Sequence, residues 1–400
     1  MYRRVLSFLM VLVVLSVLVF FFSCSLSPSP SATNEVTNEG SGGSVADTNK
    51  PSVSITTPTN GQVLYDTNVT VSGTASDVGS GVKEVWLSVN GGAYGKVNGT
   101  TSWSTNITVD YGNHTINVYA VDYSSNVSET NSVSFVVVKA IYVSTSGNDT
   151  NDGLSPSRPV RTLVKALEIA NTMDKADNVV IKVGSGVYTP GSGLSSSGSG
   201  FVIDRPNIVI SGGWNNDFSS VVGKSELDGN NSLYHVVMIK DVTNVKLENL
   251  VIRGGNASGS YPNDSGGGIY VSKVSYLVVE SNVVVSNNSA YWGGGGVYLW
   301  YSANTTIGGS VYSNSAKYGG GLYLDNSAYN TISGSVYGNS ATNGGGVYLV
   351  YSDYFTNTGW ITNNTAGTMY RGGGGVYTNV SHPNSYFGYV INNTPNNFNW

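Results

Sequence analysis

From Gly266 to Thr378 the apolar positions recur as a block. A glycine run precedes Ile269-Tyr270, Val297-Tyr298-Leu299, Leu322-Tyr323-Leu324, Val347-Tyr348-Leu349 and Val376-Tyr377, and the first apolar residue of each lies 28, 25, 25 and 29 positions beyond the one before. Asn288-Ser289-Ala290, Asn314-Ser315-Ala316, Asn339-Ser340-Ala341 and Asn364-Thr365-Ala366 keep the same beat. Two markers in phase define a structural repeat. A unit this short, rich in Gly, Asn, Ser, Thr, Val and Tyr, favours strands and turns over a helix pair. One unit cannot bury its apolar face alone, so the units must stack.

Stacked as coils of a parallel solenoid, with strands about 4.8 Å apart, they align Ile269, Val297, Leu322, Val347 and Val376 as one inward ladder. Alternation turns Leu299, Leu324 and Leu349 inward too and sends the intervening tyrosines outward. Ile307 with Ile332 gives a second ladder, and Val284, Val311, Val336 and Ile361 a third, so each coil has three strand faces. The glycine runs suit bends where a side chain would strike the next coil. Asn288, Asn314, Asn339 and Asn364 suit an amide ladder, each donating to the next. The pattern predicts a right-handed parallel β-helix of eight or nine coils over residues 139–400.

Upstream the period changes to two. Val69 and Val71, then Val85, Leu87 and Val89, then Ile116, Val118 and Ala120, then Val133, Phe135 and Val137 alternate with polar residues, and Asn90-Gly91-Gly92 supplies a hairpin turn. That predicts a β-sandwich over residues 51–138. Between the two patterns, Leu163, Ala166, Leu167 and Ala170 share one helical face, following a strand at Ile141-Tyr142-Val143. Such a helix would close the open end of the solenoid, where strand edges are otherwise unpaired. The fold class is therefore all-β: an Ig-like β-sandwich followed by a right-handed parallel β-helix with a short N-terminal capping helix.

The chain opens with Arg3 and Arg4, an uncharged run from Val5 to Phe22, and Ser23-Cys24. Basic residues, an apolar core and a small residue before a cleavage point mark an export signal. Cys24 is the single cysteine, so it serves no disulfide within the chain. The stretch Phe21-Phe22-Ser23-Cys24 resembles a bacterial lipoprotein box. The resemblance implies a lipoprotein signal peptide over 1–24, lipid attachment at Cys24, a membrane partner through that lipid, and a place in the bacterial cell envelope on a periplasmic or extracellular face. The competing reading is an uncleaved membrane helix, for which the apolar run is just long enough. Residues 25–50, rich in Ser, Thr, Asn, Gly and Pro, read as a flexible tether.

Gly73-Thr74-Ala75-Ser76-Asp77, the Val89-Asn90-Gly91-Gly92 turn with Trp103 beyond it, and Ala120–Asn126 resemble bacterial Ig-like domains, which serve as spacers in surface proteins. Ile141-Tyr142-Val143-Ser144, Val183-Gly184-Ser185-Gly186-Val187-Tyr188 and Ile210-Ser211-Gly212-Gly213-Trp214 resemble the opening of bacterial pectate-lyase-like β-helix domains. The later Gly-Gly-Gly-Val and Asn-Ser-Ala elements resemble the passenger repeats of chlamydial polymorphic outer-membrane proteins. Those passengers precede a membrane barrel with no counterpart in this sequence, so their adhesive role does not carry over whole.

Candidate chemistry is sparse. A net charge of -5 without basic clusters argues against nucleic acid. Pectate-lyase-like folds hold lyases, hydrolases and non-enzymes alike. A calcium-dependent uronate lyase needs several carboxylates and a basic residue to take the proton. Beyond Ser281 the charged residues are Lys317, Asp325, Asp353 and Arg371, with the two aspartates three positions out of register. The richer charges of earlier coils, among them Asp204, Asp228, Lys240, Asp241, Lys246, Glu248, Arg253 and Asp264, read as scattered surface charges, with Lys246 and Glu248, two apart on one strand, as a solvated ion pair. His114, His235 and His382 are isolated. Asp77, Asp122 and Asn126 could hold calcium, but capping of turns accounts for them more simply. The Asp149–Gly153 turn lacks EF-hand spacing and reads the same way. No catalytic residue, metal ligand or cofactor is assigned. The outward tyrosines Tyr298, Tyr323, Tyr348 and Tyr377 are the candidate ligand-binding residues, with Tyr312 and Tyr337 on a second strip. Cross-strand stacking alone is the competing reading. The sequence thus reads as a lipid-anchored monomer presenting a β-helix for adhesion or for binding a polysaccharide or cell-surface glycan. A polysaccharide lyase or glycoside hydrolase, and a structural surface protein, are the alternatives.

Overall fold

The computed structural model describes residues 46–195, 198–367, 372–379 and 385–399. The export signal with Cys24, most of the tether, Arg371 and His382 lie outside the described residues. From Asp47 onward the chain forms one compact unit.

Residues 52–137 form a sandwich of two sheets. One holds Ser52–Thr57, Asn68–Ser76, Asn98–Gly99 and Ser102–Thr108; the other holds Gln62–Leu64, Val82–Val89, Gly95–Lys96, Gly112–Asp122 and Asn131–Val137. The period-two residues meet between them, where Val71, Val85, Ile116, Val118 and Phe135 pack around buried Trp103. Gly73 has no alternative here, because a Cβ on it would lie 2.2 Å from Cζ2 of that indole. The sandwich passes into the solenoid without a linker, Asn131–Val137 being followed directly by Lys139–Val143.

The solenoid has three parallel sheets. Sheet I runs from Lys139–Val143 through Val179–Gly184 and five further strands to Thr356–Asn357, and sheet III from Ser199–Ile203 to Phe398–Asn399. Eight strands in each make about seven turns of a right-handed β-helix, fewer than the eight or nine expected. Sheet II carries Ser225–Leu233, Leu250–Ala257, Val284–Ser286, Ser310–Tyr312, Ser335–Tyr337, Trp360–Thr362 and Tyr389–Ile391.

The inward ladder of sheet III is as read: Ile269, Val297, Leu322, Val347 and Val376 stand in register and are buried. Ile307 pairs with Ile332 in sheet I. The third ladder needs one correction. Val311, Val336 and Ile361 stack on Val285, while the expected Val284 stands on the outer side of its strand beside Ser310. The coil spacing there is 26 residues, and a one-residue slip exchanges the faces of a strand.

The asparagine ladder forms and extends further than the repeat indicated. Nδ2 of Asn288, Asn314, Asn339 and Asn364 donates to Oδ1 of the next asparagine at 3.1, 3.0, 2.9 and 3.0 Å, ending on Asn393, which donates to Asn397 at 3.1 Å. The second proton of each amide from Asn314 to Asn393 reaches a backbone carbonyl one coil back, at Val285, Val311, Val336 and Ile361. A buried polar column is stable only when satisfied in this way. The bend that turns each amide inward comes from the preceding residue, which has positive φ at Asn287, Ser313, Gly338, Asn363 and Asn392. Gly296 and Gly321 mark close approach: a Cβ on either would lie 2.7 or 2.6 Å from a carbonyl oxygen of the next coil.

The helix spans Leu163–Thr172, capped by Thr162 Oγ1 accepting from Lys165 N, with Leu163, Ala166, Leu167 and Ala170 buried over the first coils. Asp149 accepts from Arg161 N, Thr162 N and Thr162 Oγ1, so its turn is a cap for the helix entry. The exit is closed by a residue that no motif singles out. Arg205, fully buried, donates to the carbonyls of Ala170, Met173, Asp174 and Asp177 at 2.6 to 3.1 Å. The first two belong to the helix end and its C-cap, where carbonyls lack intrahelical donors, and the other two to the turn that follows.

Candidate aromatic binding surface

The four candidate tyrosines stand on the outer side of sheet III, yet they do not form an open strip. Tyr298, Tyr323 and Tyr348 are only 3%, 7% and 8% exposed, and Tyr270 above them 3%. Tyr377 is partly buried. Ring centroids along the column are 5.5, 5.1, 5.1 and 4.9 Å apart. The cover is the glycine bend of the preceding coil. A Cβ on Gly293 would lie 2.0 Å from Cδ1 of Tyr323, and Tyr318 packs 5.1 Å from Tyr348. The expectation of an exposed strip is therefore corrected: outward from the coil is here a second, aromatic core. Burial raises the hydroxyl pKa of Tyr270, Tyr298, Tyr323 and Tyr348 above the phenol value.

Open aromatic surface lies elsewhere. On the outer side of sheet II, Tyr312 and Tyr337 stack at 4.9 Å and 16°, and Trp360 and Tyr389 at 4.7 Å and 18°. Tyr337, Trp360 and Tyr389 are 37%, 47% and 55% exposed. Register pairs Ser335 with Trp360 and Tyr337 with Thr362. Tyr312 covers Tyr337 from one side and Tyr389 covers Trp360 from the other, so the two uncovered faces look into the same gap between coils. Each looks over a small hydroxyl residue, Thr362 or Ser335. The sequence showed only the Tyr312–Tyr337 half, because the second pair mixes Trp with Tyr and sits two residues along the strand.

A ridge of tyrosines runs along the turns from sheet III to sheet I. Tyr276, Tyr301, Tyr329, Tyr351 and Tyr354 all have positive φ, between 46° and 59°, and all are exposed. Bulky side chains rarely adopt this conformation, and asparagine does so at lower cost. Asn304 and Asn326 hold the same conformation in the same turns.

Glu226, Asp228, Glu248 and Glu280 of the early coils are held in ion pairs, while Asp204 accepts from Asn171 Nδ2 and Asp264 from Ser265 Oγ. Arg253 joins Glu226 and Asp228 at 2.5 and 2.9 Å, and Lys246 joins Glu248 and Glu280 at 2.9 and 3.0 Å. Asp325, at the end of a sheet III strand, is pushed above the usual carboxylate range by burial, against hydrogen bonds from Asn326 Nδ2 at 2.8 Å and Tyr298 OH at 3.3 Å. His235 is buried beneath Tyr270, its pKa lowered by burial against hydrogen bonding with the Gly266 carbonyl. These groups do not assemble an acid and a base about one point.

Where the sandwich meets the first coils, a cleft of about 610 Å³ is lined by Tyr65, Asp66, Tyr111, Tyr142 and Lys182 among others. Lys182 is buried, with its ammonium 3.5 Å from the Tyr65 ring and 3.8 Å from Trp214. Burial pushes its pKa down to about 8, while the two ring faces favour the charged form. Its evident role is to bridge sandwich and solenoid.

Residues 51–118 match the family model described as bacterial Ig domain. Fibronectin(III)-like modules of Clostridium thermocellum CbhA align at 29% identity over 22% of this chain and 47% of that chain, with a TM-score of 0.20. A family 28 exopolygalacturonase of Yersinia enterocolitica aligns at 11% identity over 85% of this chain and 76% of that chain, with a TM-score of 0.28. No curated protein matches the chain. At these TM-scores the assignment of a β-helix rests on the strand pairing described above. A bacterial Ig domain fits a surface or extracellular setting, and among the described residues no helix is long and apolar enough to cross a membrane.

Proposed function

We propose that this is an exported cell-envelope protein, anchored by lipid on Cys24, whose β-helix binds an uncharged glycan along the outer side of sheet II. The observation that carries the reading is the gap between Tyr337 and Trp360, where two uncovered ring faces each stand over a hydroxyl. Flat aromatic faces match the apolar faces of sugar rings, and neighbouring hydroxyls match their polar edges. The charge pattern selects the ligand class. Of the charged residues beyond Ser281 that are described, Lys317, Asp325 and Asp353, none lies on a strand that carries Tyr312, Tyr337, Trp360 or Tyr389. The strained tyrosine ridge supports the same reading, because exposed rings held at a conformational cost are poor choices for stability alone. Glu226, Asp228, Glu248 and Glu280, tied to Arg253 and Lys246, are poorly placed to act as acid or base, which favours binding over hydrolysis.

The test is a double variant, Tyr337→Ser with Trp360→Ser, assayed against a panel of neutral and acidic polysaccharides. Both side chains point away from the coil interior, so circular dichroism should be unchanged. Affinity for a neutral polymer should fall at least about tenfold, the equivalent of roughly 1.4 kcal/mol. Unchanged binding by the folded variant removes the surface from consideration. The anchor is tested separately by mass spectrometry of the mature N-terminus, where Cys24 should carry acyl chains; an uncleaved or unmodified terminus sinks that part.

A further inference from the structure

The turns from sheet III to sheet I carry two rows of residues at positive φ, and each row of tyrosines is interrupted once. Lys273, Tyr301, Asn326 and Tyr351 form the first row, one to a coil, set in step by Lys273 N, Tyr301 N and Asn326 N donating to the carbonyls of Trp300, Asp325 and Val350 at 2.9, 3.0 and 2.9 Å. Beneath them Val274 N, Ser302 N and Ser327 N each donate to the serine Oγ of the next coil at 3.0 to 3.1 Å, which locks the turns in register. Tyr276, Asn304, Tyr329 and Tyr354 form the second row, placed by the pairing of Ser275 with Ala303, Thr306 with Thr331 and Thr331 with Thr356. All eight have φ between 46° and 59°. We propose that the positions where asparagine interrupts the rings, Asn326 and Asn304, are ring-wide slots that each take one neutral sugar residue between two tyrosines. The proposal rests on the reading of the β-helix as a binder of uncharged glycan and adds to it a second surface, apart from sheet II.

Where a row has tyrosines on adjacent coils they stack, Tyr329 and Tyr354 lying 4.5 Å apart at 7°. Tyr301 and Tyr351 stand two coils apart, about 9.6 Å at the strand spacing, with Asn326 between them, and Tyr276 and Tyr329 stand likewise about Asn304. A sugar ring touching a face on each side at about 3.5–4.0 Å needs roughly 7 to 8 Å, so each gap admits one ring and a small tilt of the walls closes the rest. The four walls are open, at 55% to 63% exposed. Each slot has one braced wall, since Trp300 holds Tyr301 edge to face at 5.0 Å and Tyr354 backs Tyr329. The buried column on sheet III supplies the contrast. There tyrosine serves packing alone, and the rings follow one another from Tyr270 to Tyr377 without a break. In the ridge the interrupting residue is the one that adopts this φ cheaply, and the costly choice is the exposed ring on either side of it. Polar groups set the ligand class. Asn326 Nδ2 donates to Asp325 Oδ1 at 2.8 Å, which brings an amide and a carboxylate together beside one slot as partners for sugar hydroxyls. Asp325 before Asn326 and Asp353 before Tyr354 would repel a uronate. Lys273 belongs to the coil on the other side of Tyr301 and does not offset them.

The experiment titrates the full chain in detergent with cellohexaose, mannohexaose and xylohexaose by calorimetry, and with hexagalacturonate as the acidic counterpart. It is run on wild type and on Tyr337→Ser with Trp360→Ser, which removes the sheet II surface. At least one neutral hexasaccharide should still bind that double variant. Adding Asn304→Tyr and Asn326→Tyr completes both rows and plugs both slots, so binding should fall at least tenfold while the melting temperature stays at or above that of the double variant. Tyr301→Ser with Tyr351→Ser opens a slot instead of plugging it and should weaken binding as much, which keeps the test decisive should the plugged protein fail to fold. Wild type that binds while the double variant does not leaves the sheet II reading standing and overturns the ridge site. Neutral binding that neither plugging nor opening alters overturns it too, and binding to neither protein overturns both. Hexagalacturonate held as tightly as the neutral sugars overturns the ligand class.

Discussion

Leu322→Asp is expected to unfold the coils on both sides of the substitution. Leu322 is 1% exposed and stands in register between Val297 and Val347, with Leu324 beside it on the same face. A carboxylate there has no donor and no water, and burying one unpaired exceeds the cost of ordinary core substitutions, so a loss of at least about 4 kcal/mol follows. In a solenoid each coil owes its stability to its neighbours, so the damage spreads along the axis. The sandwich has a core of its own and should keep its transition. Thermal and urea melts followed by circular dichroism check this, with Leu322→Met as a volume-conserving control expected to cost less than about 1.5 kcal/mol. A Leu322→Asp protein that melts like wild type would mean the ladder is misassigned.

The ladders were legible because repetition tests a reading several times over. Asn288, Asn314, Asn339 and Asn364 recur with one neighbour pattern, and only a stacked arrangement gives all four amides a partner. Asn393 and Asn397 continue the column, but the spacing slips to 29 and then 4 residues, so the beat no longer announces them. In the expected ladder Val284 stands where Val285 belongs for the same reason, at a coil where the spacing to Val311 is 26 and not 25. Arg205 was illegible in a different way. Its partners are backbone carbonyls at a helix end, and nothing in a lone arginine says that four acceptors will converge on it. Alternation, finally, tells which side of a strand a residue takes and is silent on what lies over that side. That gap decided the fate of the tyrosines.

Replacing Tyr298, Tyr323 and Tyr348 together with Ser is accordingly expected to destroy the β-helix rather than a binding surface. Had these rings been open to solvent, the triple variant would have stayed folded and lost only its ligand. They are instead at most 8% exposed and packed under the glycine bends, with Trp300, Tyr318 and Tyr377 at their margins. Truncating one large buried aromatic costs about 3 to 5 kcal/mol, since the cavity cannot close. Tyr323 also loses edge contacts with rings on both sides, at 5.1 Å each, worth roughly 0.5 to 1.5 kcal/mol apiece. Three such losses in adjacent coils match or exceed the whole stability of an ordinary domain, about 5 to 15 kcal/mol. The single variant Tyr323→Ser should therefore melt well below wild type and the triple variant should fail to form the solenoid. Tyr323→Phe separates the ring from its hydroxyl: it preserves the stack and should melt within about 1 kcal/mol of wild type. Melting curves of the three proteins decide the matter, and a triple variant that folds and melts normally would show that the glycine bends do not cover the column.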